Sequence, residues 1–286
     1  MNFLSLPVIV TTVAAITFST SAVAQSKKVV FLADGGKNSE THAHVAGNAL
    51  LAKALEESGL GFNTSLHKGW PSKPKAFAGA DSVVIYCNGG GGHLVMDHLD
   101  EFQELVDAGV GFVFMHYAVE VPKGRAGELM LEAMGGYFET DWSVNPHWTA
   151  EFNSLPEHPI TRGVELFAQA DEWYYHMRFQ SNMEGVTPIL SAHPPQSTMN
   201  RKDGPHSNNP HVRKAMAEGK IQHVAWAYDR PSGQGRGFGT TGAHYHNTWN
   251  NDDWRTLILN AIAWTAGIEI PTNGIPSNPN PVKREK

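Results

Sequence analysis

The sequence predicts an α/β fold: a doubly wound, mostly parallel sheet carrying an elaborated, loop-rich insertion. Three observations predict it. Short apolar runs alternate with helical stretches from residue 28 to about 135, the pattern of a sheet wound by crossover helices. Regularity lapses over residues 137–215, which are rich in Pro, Trp, His and Asn. It returns after residue 222 with two more short runs and a closing helical stretch.

Taken in order, KVVFLA (28–33) reads as the first strand, followed by the polar loop DGGKNSE. Thr41 is placed to cap a helix running through Ser58, with Val45, Leu50, Leu51 and Leu55 as its apolar stripe. Gly59 and Gly61 end it. Strands are expected at residues 62–66 and 82–87, a helix over 94–107, and a fourth strand at 112–115. That last run, FVFM, is continuously apolar, as befits a strand buried on both faces. Within the insertion, strands are expected at 148–152, 172–176 and 187–192, and a long ordered loop over 193–211. Strands at 222–228 and 237–240 and a helix over 253–266 complete the fold. The Pro- and Asn-rich residues 272–286 read as a disordered tail.

The amino terminus reads as a secretory signal rather than part of the fold. Residues 4–18 form an uncharged, mainly apolar run interrupted by Pro7, and Ala22-Val23-Ala24 before Gln25 has the small-x-small form of a cleavage site. Export, to a bacterial periplasm, is the expectation for residues 25–286, with no membrane association after cleavage. The formal net charge of −6 argues against nucleic acid or an anionic membrane as partner. Cys87 is the single cysteine, so no intrachain disulfide can form and stability must come from the core. The sequence does not fix the oligomeric state, a homo-oligomer included.

In a parallel sheet the carboxyl ends of the strands share one edge, where ligands bind. Here those ends carry Asp34, His67, Asn88 with the glycines 89–92 and His93, His116, and Gly242 with His244 and His246. Gly90 and Gly91 lie in a run whose N–H groups could cradle an oxyanion; a flexible turn is the alternative. No GxxxxGK[ST] pattern is present, so no nucleotide cofactor is expected. Cys87 is weighed as a nucleophile against a small buried residue. His42 and His44, two residues apart, can serve one site only if the helix starts between them. A divalent metal held by His42, His44, His116 and His244 is one expectation, resting on convergence rather than on a ligand motif.

DEWYYHMRF (171–179) is the stretch densest in chemistry. Read as a strand, it turns Glu172, Tyr174, His176 and Arg178 to one face. An acid, a base and a cation beside aromatic rings suit a sugar, and Trp142 and His147 in DWSVNPHW have the same character. An edge strand with paired surface charges is the alternative. The expected site is therefore His44, His116, Glu172 and His176 for catalysis. Trp142, His147, Tyr174, Arg178, Gly90, Gly91 and His246 are expected to bind substrate.

EHPITRGV (157–164), DEWYYH (171–176), HVAWAYDRPSGQGRGFGTTGAHYHNTW (223–249) and LILNAIAWTAGIEIP (257–271) together resemble the trehalose-utilisation, ThuA-like family. The likeness spans residues 29–271. It implies a flavodoxin-like fold related to class I glutamine amidotransferases, with the site at the carboxyl edge of the sheet. In those relatives the turn after a central strand carries a nucleophilic cysteine; here it carries His116, so the resemblance does not imply thioester chemistry. It places His42 and His44 in the family's His-rich first loop and Asp171, Glu172 and His176 in its acid-aromatic segment. Asn38 and Ser39 stand where family members often have a His-Gly pair, a departure that bears on any metal the family implies. The family is associated with disaccharide breakdown around 3-keto sugars. The functional expectation is an exported enzyme on a glycoside or 3-keto-glycoside, with His-assisted proton abstraction and C–O cleavage or hydrolysis. A non-catalytic sugar-binding protein and a metal-dependent hydrolase fit the same residues.

Overall fold

The computed structural model describes residues 26–35, 40–231 and 233–277; the expected signal and residues 278–286 lie outside the described residues. The first half consists of β1 (Lys27–Ala33), α1 (His44–Glu57), β2 (Phe62–Lys68), β3 (Ser82–Tyr86), α2 (Leu99–Asp107), β4 (Gly111–Met115) and α3 (Arg125–Met134). The insertion holds the short strands β5 (Gly136–Tyr137), β6 (Trp148–Phe152), β7 (Phe167–Asp171) and β8 (Arg178–Phe179). Then follow β9 (Val186–Ala192), α4 (Pro210–Ala217), β10 (Gln222–Asp229), β11 (Arg236–Thr240) and α5 (Asp252–Thr265).

Seven strands form the main sheet in the order β2-β1-β3-β4-β11-β10-β9. Pairing is parallel from β2 to β11 and antiparallel at β11–β10 and β10–β9. The α/β class and its mostly parallel sheet are as the sequence predicts. Alternate residues of each central strand face opposite layers: Val29, Phe31, Val84, Tyr86, Val113 and Met115 pack toward α1 and α5. Val30, Leu32, Val83, Ile85, Phe112 and Phe114 pack toward α2 and α3. Covering both faces explains why these strands are apolar at every position.

Several expectations are corrected. α1 starts at His44, capped by no side chain; Thr41 instead bridges to Tyr245. Its buried stripe is His44, Asn48, Leu51 and Leu55, while Val45 is exposed and Leu50 half-buried. The helix expected from residue 94 begins at Leu99, after two short 3-10 turns at 90–92 and 96–98. The expected strand at 172–176 is not formed: β7 ends at Asp171, and the following residues run irregularly with one bridge, Tyr175 to Val144. The segment 193–211 ends in α4, capped by the Asn209 side chain accepting from the Val212 N–H. At the start of the expected tail Ile275 is fully buried and its N–H donates to Asn260 Oδ1 at 2.9 Å, while Thr272, Asn273 and Pro276 are exposed.

Candidate functional site

The carboxyl ends of β4 and β7, the loop after β11 and the loop before α1 bring four side chains together. His42, His116, Glu172 and His244 each offer one ligand atom, and these atoms all lie within 4.8 Å of one another. Local backbone explains the convergence. His42 and His116 sit at φ +52° and +56°, the left-handed region that costs a non-glycine residue about 1–3 kcal/mol and gathers at functional sites. At His42 this turn lets the chain enter α1 at His44, so the helix does begin between the two histidines. The His42 N–H donates to the His244 carbonyl, and the His246 N–H to that of Glu40, which draws segment 40–42 onto 244–246. Asp171 secures the other wall, accepting from the N–H groups of Glu172, Ala243 and His244 at 2.8, 2.7 and 3.1 Å. Burial lifts its carboxyl to about 6 against the pull of those bonds.

His116 is the centre of the cluster. Its Nδ1 lies 2.9 Å from the Thr241 carbonyl, which can only accept, so Nδ1 carries the proton and Nε2 the lone pair. That lone pair faces His42 Nε2 at 3.1 Å, His244 Nδ1 at 3.1 Å and the Tyr174 hydroxyl at 3.2 Å. Glu172 Oε2 lies 2.9 Å from His244 Nδ1 and 3.5 Å from His116 Nε2. Burial holds His116 well below the usual imidazole range, and burial with the neighbouring His244 and His44 brings His42 to about 4. His42 and His116 are thus neutral at ordinary pH, the state in which an imidazole ligates.

These residues fit a divalent metal. A tetrahedral ion with bonds of about 2.0–2.1 Å to nitrogen spaces its ligand atoms roughly 3.4 Å apart. The separations of 2.9–3.5 Å around His116 and His244 are close to that. The donor set departs from the expected one in a single member: Glu172 stands where His44 was expected. His44 is fully buried, with Nδ1 2.5 Å from Asp34 Oδ1, and its ring stacks on that of His42 at 5.4 Å. Asp34 accepts that proton, so the His44 lone pair is on Nε2, which is buried without a hydrogen-bond partner. Burial pushes the Asp34 carboxyl up, but bonds from His44 and the Asn88 N–H outweigh it and hold the group below its usual value.

The other expected site residues divide. Tyr174 and His147 join the cluster, His147 Nε2 lying 3.8 Å from Glu172 Oε1. Burial keeps the Tyr174 hydroxyl protonated by raising it well above its usual range. His176, Trp142 and Arg178 form a separate group, because the chain is not a strand there. His176 Nδ1 donates to the Trp142 carbonyl, and the Arg178 guanidinium lies 3.6 Å from the Trp142 ring centre while pairing with Glu139. The Gly90 N–H is spent on the Glu120 carbonyl, so that group is not free for an oxyanion. Gly91 is exposed. His246 is outside the four, its Nδ1 buried with no partner. Cys87 is fully buried, and burial pushes its thiol up, the setting of an inert residue.

The sequence left the part played by three groups unread. The Thr241 carbonyl has no sequence signal. Asp34 stood at a strand end, but nothing there marked it as the partner of His44. Glu120, four residues beyond His116, is buried and held at 2.8 Å by His206 Nε2 from the segment 193–211. Phe138 stands between this pair and the cluster, its ring 5.4 Å from both His206 and Tyr174.

Comparison with known proteins agrees with the fold. A ThuA-like protein from Bacteroides uniformis superposes with a TM-score of 0.59 at 16% identity, covering 87% of this chain and 95% of that one. One from Parabacteroides merdae gives 0.53 at 16% identity, with 86% and 92% covered. A glutamine amidotransferase from Thermotoga maritima gives 0.46 at 7% identity, with 85% and 99% covered. No curated protein matches. The family model for ThuA, trehalose utilisation, matches residues 10–265, most of the chain. The chain therefore belongs to the ThuA family, which ties it to carbohydrate use.

Proposed function

We propose that this chain is an exported enzyme acting on a glycoside or 3-keto-glycoside, with the histidine cluster as its reaction centre. The observation that carries the reading is the gathering of His42, His116, His244 and Glu172 at the carboxyl edge of the sheet, in a chain whose family is tied to trehalose utilisation. Export rests on the apolar run and Ala-Val-Ala ahead of Gln25. His42, His116, His244 and Glu172 would hold a divalent metal, which when bound polarises a carbonyl or hydroxyl oxygen of the sugar.

The remaining groups supply proton chemistry. A 3-keto group acidifies the hydrogen on C2. A neutral histidine of the group takes that proton, while Asp34 holds His44 against His42 as a carboxylate orients a base. The C–H electron pair becomes a C1=C2 bond as the C1–O bond breaks. The imidazolium then returns the proton to the leaving oxygen, so one C–H and one C–O bond are exchanged for C=C and O–H. Tyr174, which keeps its proton, donates a hydrogen bond to the developing oxyanion.

General base catalysis is worth about 10²–10⁴-fold. The test is mass spectrometry of products from a panel of disaccharides and their 3-keto forms, with and without divalent metal. His44→Gln and His116→Gln should each lose at least about 10²-fold in turnover; undiminished turnover in both would end the proposal. The entry of Glu172 among three imidazoles favours a second reading, metal-dependent hydrolysis. Its product carries the added water that the elimination product lacks.

A further inference from the structure

Trp142 and His176 border a cavity of about 370 Å³ between α4 and the segment after β7, within the range of small-ligand sites. None of the four clustered residues lines it. Three histidines do, His176, His211 and His223, together with Lys214 and Lys220. No carboxylate is among the lining residues. Glu218 pairs with both lysines, at 3.9 and 2.8 Å, so two cations share one anion. Arg178 is already matched by Glu139.

The three imidazoles do not converge as metal ligands; among the described residues that arrangement occurs only around His116. The wall instead offers donors. His176 is held at φ +59°, fixed by its N–H to Gln222 Oε1, by Ser143 Oγ on its carbonyl and by its Nδ1–H on the Trp142 carbonyl. Such strain persists only where the surroundings over-determine it. With Nδ1 engaged, Nε2 is the ring position left for a ligand. Trp142 Nε1, which can only donate, is buried without an acceptor.

We propose that this cavity binds a small solute carrying an oxyanion, either phosphate or carboxylate, and that binding loads a proton onto its imidazoles. Burial together with His211, Arg178 and Lys220 depresses protonation of His176, and burial depresses that of His223, whose Nδ1 meets Ser191 Oγ. An anion reverses that balance, so affinity must rise as pH falls. The charged and titratable groups facing the imidazoles are Lys214, Lys220 and Glu218 beside α4 and Arg178 with Glu139 beneath Trp142.

Calorimetric titration of the full chain tests this without any turnover assay, so its failure is separate from failure of the proposed enzymatic function. The probes are inorganic sulfate, standing for the phosphate class, and D-glucuronate, standing for the carboxylate class; neither changes charge between pH 6 and 8. Glucose is the neutral control. At least one anion should bind roughly tenfold or more tightly at pH 6 than at pH 8, and glucose should not bind in the same way. The Lys214→Ala/Lys220→Ala variant, altered at two exposed positions, should weaken binding about tenfold at unchanged Tm, as loss of charged partners predicts. His223→Gln, which removes an imidazole whose protonation burial disfavours, should flatten the pH dependence. No heat with either anion would overturn the proposal. So would affinity indifferent to pH, or unchanged in both variants.

Discussion

A single hydrogen bond, from His116 Nδ1 to the Thr241 carbonyl, decides which ring nitrogen faces the cluster. His93 is oriented in the same way: Nδ1 accepts from the Val95 N–H at 3.1 Å and Nε2 donates to the Ala118 carbonyl at 3.0 Å. Burial holds His93 to about 4 despite that carbonyl, and His42 likewise. Between pH 6.5 and 4 the folded protein therefore binds fewer protons at these sites than the unfolded chain. The stability they contribute is complete above pH 6.5 and is lost as pH falls toward 4. For His93 the loss is on the order of 3 kcal/mol. Urea midpoints measured at pH 7 and pH 4 should fall less in His93→Gln than in the parent; equally steep falls would clear His93 of this role.

Among the elements, the turn after β4 and the segment 193–211 control the mouth of the site. Gly89 lies against that turn: a Cβ there would come 2.2 Å from the Tyr117 carbonyl oxygen and 2.9 Å from that of Glu120. Gly89→Ala must displace the turn that carries His116. It should cost about 1–3 kcal/mol and weaken divalent-metal binding, read by denaturation and calorimetry; a variant with parental values in both would show the contact to be slack. On the other side, His206 ties segment 193–211 to buried Glu120, and that bond raises the His206 imidazole above its usual value. A raised histidine stabilises below pH 6.5 and loses that contribution as pH rises through its folded value. Amide hydrogen exchange across 200–209 should accelerate in His206→Ala and, in the parent, on going from pH 6 to pH 8 after correction for intrinsic rates. Unaltered protection in both comparisons would mean that packing, not this pair, holds the segment.

At the scale of the whole molecule, the four candidate ligands come from the loop before α1, the end of β4, the insertion and the loop after β11, so the proposed metal binding would be a property of the folded chain. An ion present at about 100 times its Kd should stabilise the fold by about 2.7 kcal/mol, a Tm rise of roughly 5–10 °C. Thermal melts with zinc and with a chelator should show that rise in the parent. His116→Gln should lack it, and a rise preserved in that variant would move the metal elsewhere.

What the sequence determined by itself was local. Period and composition placed the central strands, because residues buried on both faces must be apolar whatever lies beside them. Strand ends flagged Asp34, His116 and His244, since in a parallel sheet those ends share an edge. Tertiary structure alone decided the rest. Only packing could end β7 at Asp171, which sends Glu172 and Tyr174 to the cluster but His176 to another cavity. Only a carbonyl 125 residues away in sequence could orient His116, and Glu172 could displace His44 from the ligand set only once His44 had met Asp34. Hydrogen bonds between distant segments leave no periodic trace in a chain, so their consequences appear when the chain has folded.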